Sequence, residues 1–309
     1  MTAARTVIWE FDTAVWWQQL AHGDSGYVLS RKYRRPTPVA VPGGGPPKAS
    51  DGRARFVTAC HPGSDDGHRF SLSGDRQLAT QLWPRTQVAF AGGGVGYRTM
   101  GDIGRLLATL HRDGPTPDGV VGPHVQRLRD HLTDPTGPGA AALATLPSTA
   151  IARLRTIAHT ITDRGTAVPV HGGFSLGSVF TDAEHHIVDV VVGPESSSGP
   201  AEIDLGWMVG ELTEFEFTAR NSGAPDQAAV YAQAADALLT AYVSASGHAL
   251  DRVLLDDVVV ARIVLHMLDF AVTTSTIEHC VILAPLVAWL VEGAEGPTHH
   301  NDDVKDGTP

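Results

Sequence analysis

The stretch 171–180 (HGGFSLGSVF) concentrates residue types that can take part in group transfer: an imidazole, two hydroxyls and a glycine-rich backbone. It follows a short apolar segment, 167–170, and precedes a second one, 187–192, which carries Asp189. A neutral imidazole can accept a proton near pH 7, and a carboxylate oxygen is a ligand that Mg²⁺ prefers. This loop between two predicted strands is therefore the strongest candidate site in the chain.

The layout resembles the catalytic loop of the aminoglycoside phosphotransferase and choline-kinase-like family. That loop reads His-Gly-Asp, then four residues, then Asn, and a metal-binding Asp lies on the next hairpin. His171 and Gly172 match this pattern, and Asp189 stands for the metal-binding Asp. Gly173 replaces the catalytic Asp, and Ser178 replaces the Asn. The resemblance implies an α+β, two-lobed protein-kinase-like fold with a small β-rich N-lobe and a larger helical C-lobe.

The resemblance extends over residues 100–290. Segment 101–111 is similar to the family's helix after the hinge, and segment 236–270 is similar to its C-terminal helices. Segment 202–207 (EIDLGW) is similar to the acidic segment after the metal hairpin. Within it, the resemblance implies a structural role for Asp204, which caps or braces the helix that follows.

The family's functional residues carry over as follows. The resemblance implies ATP or another nucleoside triphosphate and Mg²⁺ as cofactors, with Asp189 as the metal ligand. Ser178 is expected to be a second, weaker ligand to the metal and nucleotide, or else a structural turn serine. Asp189 has an alternative too, as an exposed residue at a strand edge. The cation that contacts the nucleotide is expected to be Lys32, or else Arg53 or Arg55.

The missing carboxylate at Gly173 is the main departure from the family. General-base help is worth roughly 10²–10⁴ in rate, so its loss slows phosphoryl transfer without forbidding it. We expect His171 to buttress the loop by hydrogen bonds rather than to act as a base. Ser175, Asp182 or a group from a partner can substitute for the base. The alternative is a pseudokinase that binds peptide or nucleotide and transfers nothing.

Composition excludes several classes of protein. The 309 residues carry a formal net charge of −11, which argues against a nucleic-acid binder. No apolar stretch reaches membrane-spanning length, and the two cysteines, Cys60 and Cys280, are expected to be reduced thiols of a cytoplasmic protein. The histidines show no metal-ligand spacing with Cys or Glu and are interpreted as solvated turn and tail residues.

Periodicity predicts strands first and helices afterwards. Residues 1–92 are expected to form the N-terminal lobe, with strands at 27–29, 54–58 and 87–90. Residues 93–295 are expected to form the helical lobe, and 296–309 a disordered tail. Predicted helices cover 103–110, with Thr99 and Asp102 as a capping box, and 151–161, 228–243, 256–271 and 277–291.

The loop His-Gly-x-Phe-Ser-x-Gly-Ser further resembles the stand-alone kinase-like proteins of class V lanthipeptide and thioamitide biosynthesis. That resemblance implies phosphorylation of Ser or Thr in a ribosomally made precursor peptide, followed by phosphate elimination on a separate HopA1-like lyase. A small-molecule phosphotransferase is the second hypothesis, and a pronounced acidic pocket in the C-terminal lobe would favour it. A silent binding module that assembles with the lyase is the third.

Overall fold

The computed structural model describes residues 6–12, 16–23, 26–33, 55–57, 68–74, 76–79, 95–114, 122–164, 166–182, 184, 186–193 and 195–292. Strands dominate before residue 80, and long helices dominate after residue 94. A cluster of four short strands interrupts the helical part between residues 167 and 200. This order of elements is the one that the sequence predicts.

The first sheet is antiparallel and has the strand order β1–β2–β3–β5. Side chains alternate across it, as the two-residue period of a strand requires. Leu20 and Leu29 pair across β2 and β3 and are buried together with Phe70 of β5. The four strands are β1 (Thr6–Asp12), β2 (Trp16–Gly23), β3 (Gly26–Tyr33) and β5 (His68–Leu72).

The second sheet combines strands from both parts of the chain, in the order β4–β9–β8–β6. β8 and β9 form the hairpin after the candidate loop, β4 pairs in parallel with β9, and β6 pairs antiparallel with β8. A separate antiparallel pair joins β7 to β10. The bounds are β4 (Arg55–Val57), β6 (Arg76–Gln77), β7 (Ala167–Val170), β8 (Val179–Thr181), β9 (Ile187–Val191) and β10 (Ser197–Pro200).

The helices form one packed body. Its central members are α5 and α7, which lie against each other over much of their length. The described helices are α1 (Val95–Asp113), α2 (Pro123–Thr133), α3 (Gly137–Leu143), α4 (Ser148–Thr160), α5 (Glu202–Asn221), α6 (Pro225–Ser246), α7 (Arg252–Thr274) and α8 (Glu278–Glu292).

Most of the predicted elements are confirmed. The strands expected at 27–29 and 54–58 lie in β3 and β4, and the helices expected at 228–243, 256–271 and 277–291 lie in α6, α7 and α8. Cys280 is a buried free thiol. The strand expected at 87–90, the tail 296–309, Arg53 and Cys60 lie outside the described residues.

The capping box expected at Thr99 and Asp102 is wrong. α1 begins at Val95, about one turn earlier, so Thr99 is a buried residue inside the helix. Asp102 pairs instead with Arg105 on the same face of α1. Apolar spacing locates the body of a helix better than its first residue, because residues before and after the first helical residue can follow the same apolar spacing.

The core has two large apolar clusters that meet on α5. One groups α2, α4, α7 and α8, and the other groups α1, α6, the loop and the second sheet. A smaller cluster lies between the two four-stranded sheets and includes Phe180 and Val191 of the hairpin. Among the helices that the structure describes, none combines the length and apolar character that crossing a membrane requires.

Candidate functional site

A buried carboxylate at the start of α5 holds the candidate loop in place. Asp204 accepts hydrogen bonds from the backbone N–H of His171 (2.7 Å) and of Gly172 (2.8 Å). Its Oδ2 also lies 3.0 Å from Nε2 of His111, at the end of α1. Three buried donors thus converge on one carboxylate. Asp204 thus has a structural role, as expected, but it fixes the loop to both helices and does not cap the helix that follows.

Gly172 needs to be glycine. Its φ of +83° lies in the left-handed region, and an added Cβ would lie 1.9 Å from the carbonyl oxygen of Glu195. The backbone of the loop therefore approaches the segment before β10 more closely than any side chain allows.

The ring of His171 braces the loop against β9. Its Nε2 donates to the carbonyl oxygen of Val191 at 2.7 Å, since a carbonyl can only accept. Nδ1, which must then be the acceptor nitrogen, is buried and has no hydrogen-bond partner among the described residues. The ring of His171 thus contacts β9 at its end, Val191.

Asp189 is fully buried, with 0% of its surface exposed. The register places it opposite Phe180 of β8. Its Oδ2 accepts hydrogen bonds from the backbone N–H of Ser73 and of Gly74, the latter at 3.1 Å. The alternative of an exposed strand-edge residue is therefore wrong, because Asp189 ties the turn after β5 to the hairpin.

The hydroxyls of the loop lie in and around a 3₁₀ turn, Leu176–Ser178. Ser178 is buried, and its N–H donates to the carbonyl of Ser175 at 2.9 Å. Ser175 is half-buried. The N–H of Leu176 donates to Oε2 of Glu211 on α5 at 2.8 Å.

Phe174 of the loop and Asp182 after β8 have structural roles. Phe174 is fully buried and belongs to the core. Asp182 accepts hydrogen bonds from the N–H groups of Glu184 and His186 in the β8–β9 turn, at the end of the hairpin away from the loop.

The space beside Gly173, where the family has its catalytic carboxylate, is filled by His124 of α2. A Cβ added to Gly173 would lie 2.2 Å from His124 Nε2 and 2.6 Å from its Cδ2. The imidazole cannot move aside easily, because it stacks on Trp207 with ring centroids 5.0 Å apart. The glycine at position 173 is thus accompanied by a second residue, His124, which fills the volume that the family's carboxylate would occupy.

The hydrogen bond at the other ring nitrogen fixes the tautomer of His124. Arg127 NH2 lies 3.0 Å from His124 Nδ1, and because a guanidinium can only donate, Nδ1 is the acceptor. Burial, and then the charge of Arg127, lower the pKa of His124 to about 3. The ring is therefore neutral at pH 7 and carries its proton on Nε2. At the position of the missing base, the structure presents a hydrogen-bond donor.

This lowered pKa predicts a pH-dependent stability. Between about pH 3 and 6.5 the unfolded chain binds a proton at His124 that the folded chain does not, so stability falls as pH falls below 6.5. We expect His124 to contribute a loss of up to ~2 kcal/mol in the free energy of unfolding between pH 7.5 and pH 5. Urea titrations of wild type and His124→Gln at the two pH values measure it.

The exposed His159 on α4 supplies the control, since His159→Gln should keep the wild-type pH dependence. If His124→Gln loses as much stability on acidification as wild type does, the assignment of a neutral imidazole at His124 is wrong.

The basic residues of β3 lie on opposite faces of the first sheet. Lys32 is exposed, whereas Arg31 is 2% exposed and bonds Gln18 Oε1 of β2 at 3.3 Å. Leu29, on the same face of β3 as Arg31, packs against the hairpin of the second sheet. The inward cation of β3 is thus Arg31. Arg55 pairs in register with Asp189, and its side chain lies outside the described part of the structure.

Sequence reasoning missed both His124 and Arg31. The first lies far from the loop in the chain, at the start of a helix with no motif of its own. The alternation of side chains along β3 could have indicated Arg31. Leu29 and Arg31 lie on the same face of a strand, whereas Lys32 lies on the other.

The comparisons with known proteins identify the fold. No family model matches the chain, and no curated protein matches it. Among solved structures, the GDP complex of an aminoglycoside 2'-phosphotransferase has a TM-score of 0.51 at 10% identity and covers 94% of this chain and 91% of its own. A candidate aminoglycoside phosphotransferase of Ralstonia eutropha has a TM-score of 0.51 at 16% identity and covers 94% of this chain and 93% of its own.

An aminoglycoside phosphotransferase of Streptomyces rimosus, with ADP and streptomycin, has a TM-score of 0.48 at 15% identity and covers 80% of this chain and 90% of its own. The expected fold class is confirmed: this chain has the two-lobed kinase-like fold of aminoglycoside phosphotransferases, with a β-rich first part and a larger helical second part.

Proposed function

We propose that this chain is the kinase-like protein of a two-protein system that dehydrates Ser or Thr in a ribosomally made precursor peptide, and that it needs the peptide and a lyase partner to complete its site. One observation carries the proposal. The place of the family's general base holds a neutral His124 whose Nε2 is a donor.

A donor at this position cannot take the proton of a substrate hydroxyl. Phosphoryl transfer through a loose transition state depends mainly on positioning and on neutralising the phosphate oxygens. The missing base then lowers the rate of phosphoryl transfer by roughly 10²–10⁴-fold. A group supplied by the bound peptide or partner can take the place of the base.

Charge favours a peptide hydroxyl over an aminoglycoside, which is a polycation. Six carboxylates lie in or beside the loop and its supporting helices, and those of α5 and α7 are committed to donors of the protein itself. Glu202 accepts from the N–H of Asp251, Glu211 from that of Leu176, and Asp269 from Arg127. The six are Glu195, Glu202, Asp204, Glu211, Glu214 and Asp269.

A nucleoside triphosphate is the proposed phosphate donor, in keeping with the GDP and ADP present in solved structures of this fold. Arg31 is the cation that we place on the nucleotide, because it is the basic residue of β3 on the inner face of the sheet. Asp189 fits a Mg²⁺ ion poorly as folded, since its Oδ2 already accepts two N–H groups. Metal binding at Asp189 and Ser178 stays a prediction.

The test follows peptide mass. Incubated with ATP and Mg²⁺ alone, the protein is expected to turn over little ATP. With precursor peptide and lyase added, the peptide should gain phosphate or lose water, because binding then completes the site. Phosphorylation of an aminoglycoside or a small polyol by the protein alone would replace this proposal with the small-molecule kinase.

A matched pair of variants on β3 controls the experiment. Arg31→Met should abolish the mass change, whereas Lys32→Met, on the exposed face, should leave it unchanged. Equal activity of the two variants would contradict the placement of the nucleotide under this sheet.

A silent binding module is the second candidate, and the same His124 favours it, because the imidazole leaves no room for a carboxylate at position 173. This candidate predicts that precursor peptide binds, as measured by calorimetry, while its mass stays unchanged with ATP, Mg²⁺ and lyase all present.

A further inference from the structure

Three residues on three different helices bring potential metal ligands together outside the candidate loop. Glu214 of α5, His266 of α7 and His279 of α8 place one carboxylate oxygen and two ring nitrogens within 4.8 Å of one another. We propose that Glu214, His266 and His279 form a binding site for a divalent transition metal, with Zn²⁺ the best match. The site is independent of the proposed phosphotransferase function.

The distances are close to those that a bound ion requires. Glu214 Oε1 lies 2.7 Å from His266 Nδ1 and 3.4 Å from His279 Nε2. Zinc bonds of ~2.0–2.1 Å in a tetrahedron separate neighbouring ligand atoms by about 3.3 Å. The contact to His266 therefore has to lengthen by about half an ångström, which side-chain rotation supplies.

Of the three residues in this cluster, His279 is the one whose position the hydrogen bonds of the protein do not explain. Its Nε2 is buried and has no hydrogen-bond partner among the described residues, although the nitrogen faces Glu214 Oε1. The ring packs on Phe270, with centroids 4.5 Å apart, and this contact orients it. A nitrogen that faces a carboxylate oxygen at 3.4 Å, longer than an ordinary hydrogen bond, is well placed to receive a cation.

Arg262 orients the carboxylate of Glu214. Its guanidinium bonds Oε2 of Glu214, the oxygen that faces away from the histidines, and its other nitrogen lies 3.9 Å from Glu211 Oε1. Contacts of this kind outside the ligand shell orient metal ligands and tune affinity. Oε1, which accepts a hydrogen bond from His266 Nδ1 at 2.7 Å, would exchange that bond for the metal.

Two imidazoles and one carboxylate are the ligand set of many zinc sites that keep a fourth position for water. The side chains of His266 and His279 are 38% and 24% exposed, so solvent reaches the cluster from their side. Magnesium and calcium, which prefer all-oxygen shells, suit the site less well. Binding would join α8 to α5, one turn from the glutamate that holds Leu176 of the loop.

The test uses untagged full-length protein in which the tail histidines are removed by His299→Ala and His300→Ala, since a tail pair binds zinc by itself. After chelator treatment, Zn²⁺ titration in a calorimeter should show one equivalent bound. Co²⁺ should give the visible absorption bands of a four-coordinate site. His279→Ala and His266→Ala should weaken binding at least ~100-fold, beyond the 10–100-fold typical of residues outside the ligand shell.

His159→Ala, which removes an exposed histidine elsewhere, should bind Zn²⁺ like the parent protein. Both ligand variants remove partly exposed side chains, and circular dichroism confirms that they fold. Parent protein that binds no Zn²⁺, or a His279→Ala variant that binds as tightly as the parent, would show that the cluster is only a hydrogen-bonded contact between helices.

Discussion

Replacing Asp204 with alanine is expected to lower the free energy of unfolding by about 3–5 kcal/mol. The carboxylate is fully buried and receives three donors, of which the N–H groups of His171 and Gly172 belong to buried residues of the loop. The variant leaves these donors without their acceptor and removes one of the two hydrogen-bond partners of His111. Urea unfolding measures the loss, and amide hydrogen exchange at positions 171 and 172 locates it.

Glu216 provides a control on the same helix. It pairs with Arg220 one turn away on the surface, so Glu216→Ala should cost no more than ~0.5 kcal/mol. An Asp204→Ala variant that loses less than about 1 kcal/mol, the size of an ordinary substitution, would mean that the loop is held by other contacts.

Restoring the family's carboxylate by Gly173→Asp should destabilise the protein rather than activate it, by about 1–3 kcal/mol. The new Cβ falls 2.2 Å from a ring that Trp207 and Arg127 hold in place. Thermal unfolding and the peptide-mass assay together measure this outcome.

The double variant His124→Gly with Gly173→Asp should recover stability relative to Gly173→Asp, because the ring that clashes is gone. Gly177→Ala, in the same loop, is the steric control: its added Cβ would meet nothing closer than 3.5 Å and should be tolerated. Full stability of the single Gly173→Asp variant would show that His124 moves freely.

The order and type of the elements could be predicted because apolar periodicity reports the side of each strand or helix that is buried. That signal locates β3, β4 and the helices from α6 to α8. The structural role of Asp204 followed from a local motif, whereas its bonds to His171 and Gly172 of the loop were not predicted.

Contacts between distant segments could not be predicted in the same way. Nothing in the neighbourhood of Asp189 reveals that the turn at Ser73 and Gly74 supplies its donors. The prediction that the histidines are solvated and lack metal geometry is wrong for His266 and His279. Their common partner, Glu214, lies on another helix, and no spacing along the chain records that convergence.

The second sheet, which joins early and late strands of the chain, limits the order in which the protein can fold during synthesis. β4 and β6 are synthesised early, yet their ladder partners, β9 and β8, leave the ribosome only after several helices have emerged. The early strands must therefore wait with open edges, which are prone to pairing with other chains. A chain that stops before the hairpin lacks the partners that β4 and β6 have in the described structure, so we expect the β-rich half not to fold as a module on its own.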